Sequence, residues 1–514
     1  MKAYKTTAWQ EYEAGKEYKR RIGLYETVRR NERFYRGDQW HGAQTDLPRP
    51  VFNLVRRITD YLVCAVLPKD LSISYTDDKL PFIDNRALRD SINNGLKILN
   101  QNAAYRWDRS GMQALSHKAL LNAALSGDGV FYCWWDNSQQ SGQPFVGDIR
   151  TDLIDNTDFF VADVNKTDVQ SQDYLILAGR ASVESLRAEA IANGMSEREA
   201  ASIVRDSDEE DLTGSLSLYE LKGGEKATYL IKFYRENGEV MFEKSTRGTV
   251  ICRVGTGLKY YPVAYFNWHT TNGSFHGSSP VSDMIANQKY VNTAYAMAMK
   301  HMYDTAFSKV VYDKSRIPEW SNQVGEAIAA VGGGNVADAV SVIGVGKLQE
   351  GYLDLIENVI DTTKDMMGAT ESALGDGPAN NTSAILALRE ASRISLLRVE
   401  SDFCRCIGEL AAIWADMLCT YCPPERLLVT KDGDTLSAKA PDYKVLKQEL
   451  LRAGAQVEQI DSGITDATIP LLDKLLGGGH IDLTQYLELL PTGTVKDREK
   501  LIRKIQSKGV LTDE

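Results

Sequence analysis

Between Pro280 and Phe307 the chain contains no glycine and no second proline. Gly and Pro are the residues that most readily end a helix, so this run predicts one continuous rod. Ser279 suits the N-cap and Pro280 the first helical position. Met284, Val291, Tyr295, Ala298 and Met302 fall on one helical face, which predicts a buried stripe. About 28 residues at 1.5 Å rise give a helix of roughly 42 Å. A second helical run, "YLDLIENVIDTTKDMM" (352–367), carries Tyr352, Leu355, Ile356, Val359, Ile360 and Met367 on one side. Asp354, Glu357, Asp361 and Asp365 form a narrow acidic stripe on another. A third run, capped by Thr382 or Ser383, continues to Cys422 before "CPPE", roughly 60 Å at the same rise. Residues 309–351, between the first two rods, read as a small α/β insert with Gly332–Gly334 as a loop. The small, polar stretch 368–381 separates the second rod from the third.

The rest of the chain mixes both periodicities. Residues 9–36, 50–66 and 83–126 read as helical, with Gly37 ending the first of these. "VFYCWWD" (130–136) is β-branched and aromatic, hence strand. "TYLIKFYRENGEVMFEKST" predicts two strands joined by an Asn-Gly turn. Residues 181–211 read as a short helix and an acidic loop, and the tail 423–514 as a small hairpin followed by short helices. Asp128, in "SGDGVF", reads as a turn residue before a strand. The fold class expected is α+β, mainly helical.

Composition narrows the function classes. No apolar run approaches the length of a membrane span, and the start of the chain lacks a secretory pattern. An odd, scattered set of seven cysteines suits a reducing cytoplasm. The net charge is −11, although residues 1–60 hold thirteen Lys and Arg against eight Asp and Glu. A chain this acidic is a poor candidate for tight DNA binding, which depends on Lys and Arg. No catalytic constellation emerges. Cys404 and Cys406 lie two apart on a helix and therefore diverge, so Cys404, Cys406, Cys419 and Cys422 read as thiols rather than a zinc cluster. "IGVGK" and "LGGGH" lack the Walker spacing. His269 and His276 flank a tight turn without HExxH, GxSxG or a paired acid. No metal, cofactor or catalytic residue is expected.

"NERFYRGDQW" (31–40), "GDGVFYCWWD" (127–136), "IDNTDFFVADVNKTDVQSQDYLI" (154–176), "YYPVAYFNWHTTNGSFHGSSPVSDMIANQKYVN" (260–292) and "IDLTQYLELLPTGTVKDREKLI" (481–502) occur in an order that resembles the tailed-bacteriophage portal proteins. The resemblance spans nearly the whole chain. It implies a portal-type fold: N-terminal helices and a β-rich wing (1–278), stem helix 1 (279–308), a clip (309–351), stem helix 2 (352–370), a tunnel loop (371–382), a long wing helix (383–422) and a crown (423–514). It implies a homo-oligomeric ring of twelve subunits at one capsid vertex, assembled in the host cytoplasm, through which double-stranded DNA is packaged and ejected. The partners implied are the large terminase, which would supply the ATPase this chain lacks, a head–tail adaptor, and the major capsid and scaffolding proteins, with no membrane. Asp354, Glu357, Asp361 and Asp365 would face the DNA channel, with Lys300, Lys364 and Lys309 as stem cations. Glu371, Gly375, Asp376, Gly377, Pro378, Asn380 and Asn381 would form the tunnel loop. His276, Gly277, Ser278, Ser279 and Pro280 would be the wing–stem hinge, and Arg316, Trp320, Gly333 and Lys347 would belong to the clip. Two alternatives are another virion ring or baseplate component and a nucleic-acid enzyme such as a nuclease. The nuclease would need carboxylates clustered at strand ends, and the sequence offers none.

Overall fold

The computed structural model describes residues 6–42, 46–67, 71–76, 83–140, 146–206, 225–305, 309–321, 328–343, 351–370, 394–423, 425–432, 435–439, 454–459 and 471–490, with 501 and 505. The chain is mixed helix and sheet, with helix the larger share. The expected helix over 9–36 is two: α1 (Thr7–Arg21) and α2 (Leu24–Arg36). Gly23 sits between them at φ 69°, a left-handed conformation that ends a helix and that glycine adopts without strain. α3 spans Leu54–Val66 and β1 Leu71–Thr76. The run 83–126 is likewise divided, into α4 (Arg86–Arg109) and α5 (Met112–Ser126), by Gly111 at φ 61°. Strands β2 (Asp128–Gln140), β3 (Val146–Ile154), β4 (Phe159–Val161) and β5 (Tyr174–Ser182) follow, then helices α6 (Val183–Ala192) and α7 (Glu197–Ala200). β6 (Lys226–Glu236) and β7 (Glu239–Ser245) form the expected hairpin. Asn237 and Gly238, at φ 52° and 85°, supply the two positive dihedrals that a tight two-residue turn requires. After β8 (Val250–Gly255) and β9 (Val263–Asn267) come α8 (Pro280–Thr305), the short strands β10 (Lys309–Tyr312) and β11 (Val340–Ile343), α9 (Gly351–Met366) and α10 (Leu397–Tyr421). β12 (Leu428–Asp432), β13 (Thr435–Lys439), β14 (Gly454–Gln459) and α11 (Leu483–Leu489) complete the described elements. Among the described residues no helix is long and apolar enough to cross a membrane.

Two compact units result. The first comprises residues 1–29, 60–280 and 393–514; the second comprises 30–59 and 281–392. Residues 30–59, expected with the N-terminal wing, thus cluster with the helical rods instead.

In the first unit, β4–β5–β6–β7–β8 form an antiparallel meander. Ile176, Ala178 and Leu230 pack with Ala8, Trp9 and Tyr12 of α1. Ala181, Ala227 and Tyr229 pack with Val183, Leu186 and Ala190 of α6. Successive side chains on a strand alternate faces, so α1 and α6 cover opposite sides of this sheet. A second sheet, β3–β2–β9, packs against α5 and α10. α10 buries Phe403, Cys406, Ile407, Leu410 and Trp414, and Phe403 meets Phe266 of β9 edge-on at 5.3 Å. Each such large apolar side chain contributes about 1.5–3 kcal/mol on burial. β1 pairs with β14, and the Tyr75 hydroxyl donates to the Ala411 carbonyl at 2.9 Å.

The second unit is organised around α8 and α9. Met284, Val291 and Ala298 of the expected stripe are buried and Tyr295 is half-buried. Met302 is not part of it: its side chain is 57% exposed. A buried polar network ties 30–59 to α8. Gln288 Nε2 donates to the Phe52 carbonyl (2.8 Å) and its Oε1 accepts from the Val55 amide (3.1 Å). Asn292 Nδ2 donates to Gln39 Oε1 at 2.6 Å, and Gln39 Nε2 donates to Phe34 O and Asn53 Oδ1. Buried amides satisfied this fully specify one packing register, because any slip would strand polar groups without partners.

Candidate functional site

α9 is amphipathic, and its solvent side carries an acidic stripe beside exposed apolar side chains. Asp354, Glu357, Asp361 and Asp365 are all exposed and, at steps of three and four residues, line one stripe. From first to last the stripe is about 16 Å long by helical rise. The other side of α9 is anchored. Ile356, Val359, Ile360 and Tyr352 pack on Val291, Ala294 and Tyr295 of α8. The Tyr352 hydroxyl donates to the Ala294 carbonyl at 3.3 Å, and Asn287 Nδ2 donates to Thr363 Oγ1 at 2.9 Å. Leu355, expected on the packed side, is 48% exposed.

The expected stem cations are engaged with carboxylates. Lys364 Nζ lies 2.9 Å from Asp361, offsetting one of the four charges, and Lys300 lies 3.9 Å from Asp304 on its own helix. The Lys309 side chain lies outside the described residues. The two rods also expose Met297, Met302, Tyr303, Leu353, Leu355 and Met366.

Between the rods, β10 and β11 pair antiparallel. Trp320 stacks on Tyr312 with centroids 5.2 Å apart, and Arg316 Nη2 donates to the Asn335 carbonyl at 3.2 Å. Gly333 is exposed between Gly332 and Gly334, both at positive φ. Lys347 lies outside the described residues. So do the tunnel-loop residues Glu371, Gly375, Asp376, Gly377, Pro378, Asn380 and Asn381, and the stretch 383–393 of the expected long helix.

No protein-family model matches this chain, and no curated protein does.

The residues expected as a hinge are tightly held within the first unit. His276 Nδ1 is 2.6 Å from Asp128 Oδ2, and the pair is buried. Asp128 Oδ1 accepts from the Gly277 amide at 2.8 Å and from Asn267 Nδ2 at 3.0 Å, while Asn156 Nδ2 donates to Oδ2 at 3.1 Å. Burial pushes the Asp128 carboxyl upward, but the His276 charge and these hydrogen bonds outweigh it and hold the pKa below its ordinary value. The Ser279 hydroxyl donates to the Ala124 carbonyl at 2.6 Å, and Ser278 bridges back to His269. Pro280 is buried as α8 begins. An Asp–His pair can orient an imidazole as a base. Here four donors occupy the carboxylate, and both side chains are closed to solvent. His269 is exposed, whereas His276 is buried.

Asp128, expected as a turn residue, is instead the first residue of β2 and the buried hub of this hydrogen-bond cluster within the first unit. The signal available was its place at the head of an apolar strand, where a carboxylate must be paired. The two flanking backbones touch as well. A Cβ on Gly277 would lie 2.7 Å from the Gly127 carbonyl oxygen and 2.8 Å from the Asn267 Cβ. Gly277→Ala is expected to cost about 1–3 kcal/mol through this overlap, read as a lowered urea midpoint. A midpoint equal to wild type would mean that these backbones yield freely.

Cys406, Cys419 and Cys422 are buried and Cys404 is half-buried; Cys404, Cys406 and Cys419 lie on α10 and Cys422 caps its end. Burial pushes the Cys406 thiol well above its ordinary pKa, the condition of an inert packing group.

Proposed function

We propose that this chain is the subunit of a ring-forming DNA conduit of the tailed-phage portal type. One observation carries the reading: α9 turns four carboxylates to solvent on one stripe while its opposite side is locked to α8. A duplex passing close to such stripes, repeated around a ring, meets like charge at every subunit. It is repelled rather than held, which suits a passage. Surface charges act only within about 8 Å at physiological salt, so the repulsion operates in a close-fitting bore and not across a wide one. The apolar side chains exposed on the two rods support the same reading, since neighbouring copies would cover them. The twelve-fold ring, the clip at 309–351 as docking platform for terminase and adaptor, and the tunnel loop at 371–382 belong to the proposal as well.

Negative-stain images of the purified full chain test assembly; annular particles with a central hole are expected. A chain that stays monomeric at every concentration and ionic strength would overturn the ring. The channel is tested by combining D354N, E357Q, D361N and D365N. Rings are expected to persist, while the yield of DNA-filled heads or the retention of packaged DNA changes severalfold. Unaltered packaging in that variant would remove the acidic face from the mechanism.

A further inference from the structure

A cavity of about 540 Å³ in the first unit, remote in sequence from the acidic rods, is lined by residues from the end of α4 and from β2 and β3. Three arginines line it: Arg106, Arg109 and Arg150. Arg106 is buried and donates to Asp148 at 2.8 Å, and its Nε has no acceptor among the described residues. Arg109 has no carboxylate partner among the described residues and donates to the Tyr105 hydroxyl at 3.1 Å. Arg150 uses its Nε toward Asp136 at 3.3 Å, leaving its two terminal nitrogens as donors. The two carboxylates in the lining are already engaged. Asp148 is held by Arg106, and Asp152 accepts from Trp134 Nε1 at 2.6 Å. Gln139 Oε1 is buried with no donor among the described residues.

We propose that this cavity binds a small phosphate ester bearing hydroxyl groups, with the phosphate on Arg109 and Arg150 and the hydroxyls on Gln139 and Asp152. Two guanidinium forks match a dianion's oxygens. The volume falls in the range of small-molecule sites and exceeds what a lone inorganic ion requires. The acceptors in the lining, Gln139 Oε1 and the Asp152 carboxylate, disfavour a second anionic group beside them and favour O–H donors.

Titration calorimetry on the full chain, with glucose 6-phosphate as probe, tests the assignment. Binding at least tenfold tighter than inorganic phosphate is expected, with none detectable for glucose. The R109Q/R150Q variant should weaken it at least tenfold and keep a native circular-dichroism spectrum, with a lowered unliganded melting temperature from loss of the Arg150–Asp136 pair. Equal affinity for inorganic phosphate would overturn the ester assignment. An unchanged affinity in the variant, or no heat with millimolar probe, would overturn the site. Binding only of a 5′-phosphorylated oligonucleotide would also overturn it, because the ligand would then be a nucleic-acid end.

Discussion

Replacing Asp128 with Ala is expected to destabilise the first unit by about 3–5 kcal/mol, the range for stripping one partner from a buried charged pair. The loss is large because four donors converge on that carboxylate, and without it they are buried and unsatisfied. Asp128→Asn is the sharper variant. It preserves volume but presents an N–H₂ where one set of donors now points, so it should recover only part of the loss. Urea unfolding followed by tryptophan fluorescence measures both. The pH dependence follows from the depressed pKa. The folded carboxyl releases its proton more readily than the unfolded one, so its stabilisation is complete above the ordinary carboxylate range. It is lost as the pH falls through the folded value. The wild-type chain should lose stability toward acid more steeply than Asp128→Ala. A variant within 1 kcal/mol of wild type, or parallel acid profiles, would refute the hub.

The second large effect is expected at Lys19. This lysine of α1 is buried, and its ammonium donates to the carbonyls of Asn156, Thr157 and Phe159 at 2.5 to 3.1 Å while lying over the Phe160 ring. It pins α1 to the corner between β3 and β4. Lys19→Met keeps most of the apolar stem but leaves three carbonyls without that donor. A loss of about 3–5 kcal/mol follows if they stay dry, at roughly 1–3 kcal/mol per orphaned group with partial relaxation. Burial also pulls the Lys19 pKa down to about 7, against the opposing pull of Asp158 and Asp128. The unfolded chain, with the ordinary value of 10.5, binds that proton more tightly. The linkage therefore makes the Lys19 contribution more favourable as pH rises from about 7 toward 10.5. The wild-type minus Lys19→Met difference in unfolding free energy should grow over that interval, which cancels the tyrosine and cysteine titrations common to both. A difference that is flat or shrinks would contradict the burial of the charge.

How much of this was legible beforehand depends on how local each feature is. The β6–β7 hairpin could be read because Asn237-Gly238 specifies its own dihedrals. The acidic stripe could be read because steps of three and four residues place side chains together whatever the tertiary context. The breaks at Gly23 and Gly111 were missed: each glycine sits in a strongly periodic helical run, and periodicity alone does not reveal a left-handed turn. Met302 and Leu355 were assigned to buried faces because a pattern tells which side of a helix is apolar, not where its partner ends. Asp128 was misjudged for the converse reason. Its partners His276, Asn267 and Asn156 come from distant parts of the chain, and only the fold brings them together. The attachment of 30–59 to α8 through Gln39, Asn53, Gln288 and Asn292 carried no periodic signature at all.

The pairing of β1 with β14 has a consequence for biosynthesis. On the ribosome, Leu71–Thr76 emerges long before the strand that completes its ribbon, Gly454–Gln459. α10, which covers the β3–β2–β9 sheet, also arrives after the whole 281–392 insertion. Until those later segments emerge, the nascent polypeptide carries an uncovered sheet and an unmatched strand edge, the states most prone to intermolecular pairing. Closure of such distant contacts is slow. Yield on expression should accordingly be limited by how well the host shields this half-finished product, and not by the stability of the finished one.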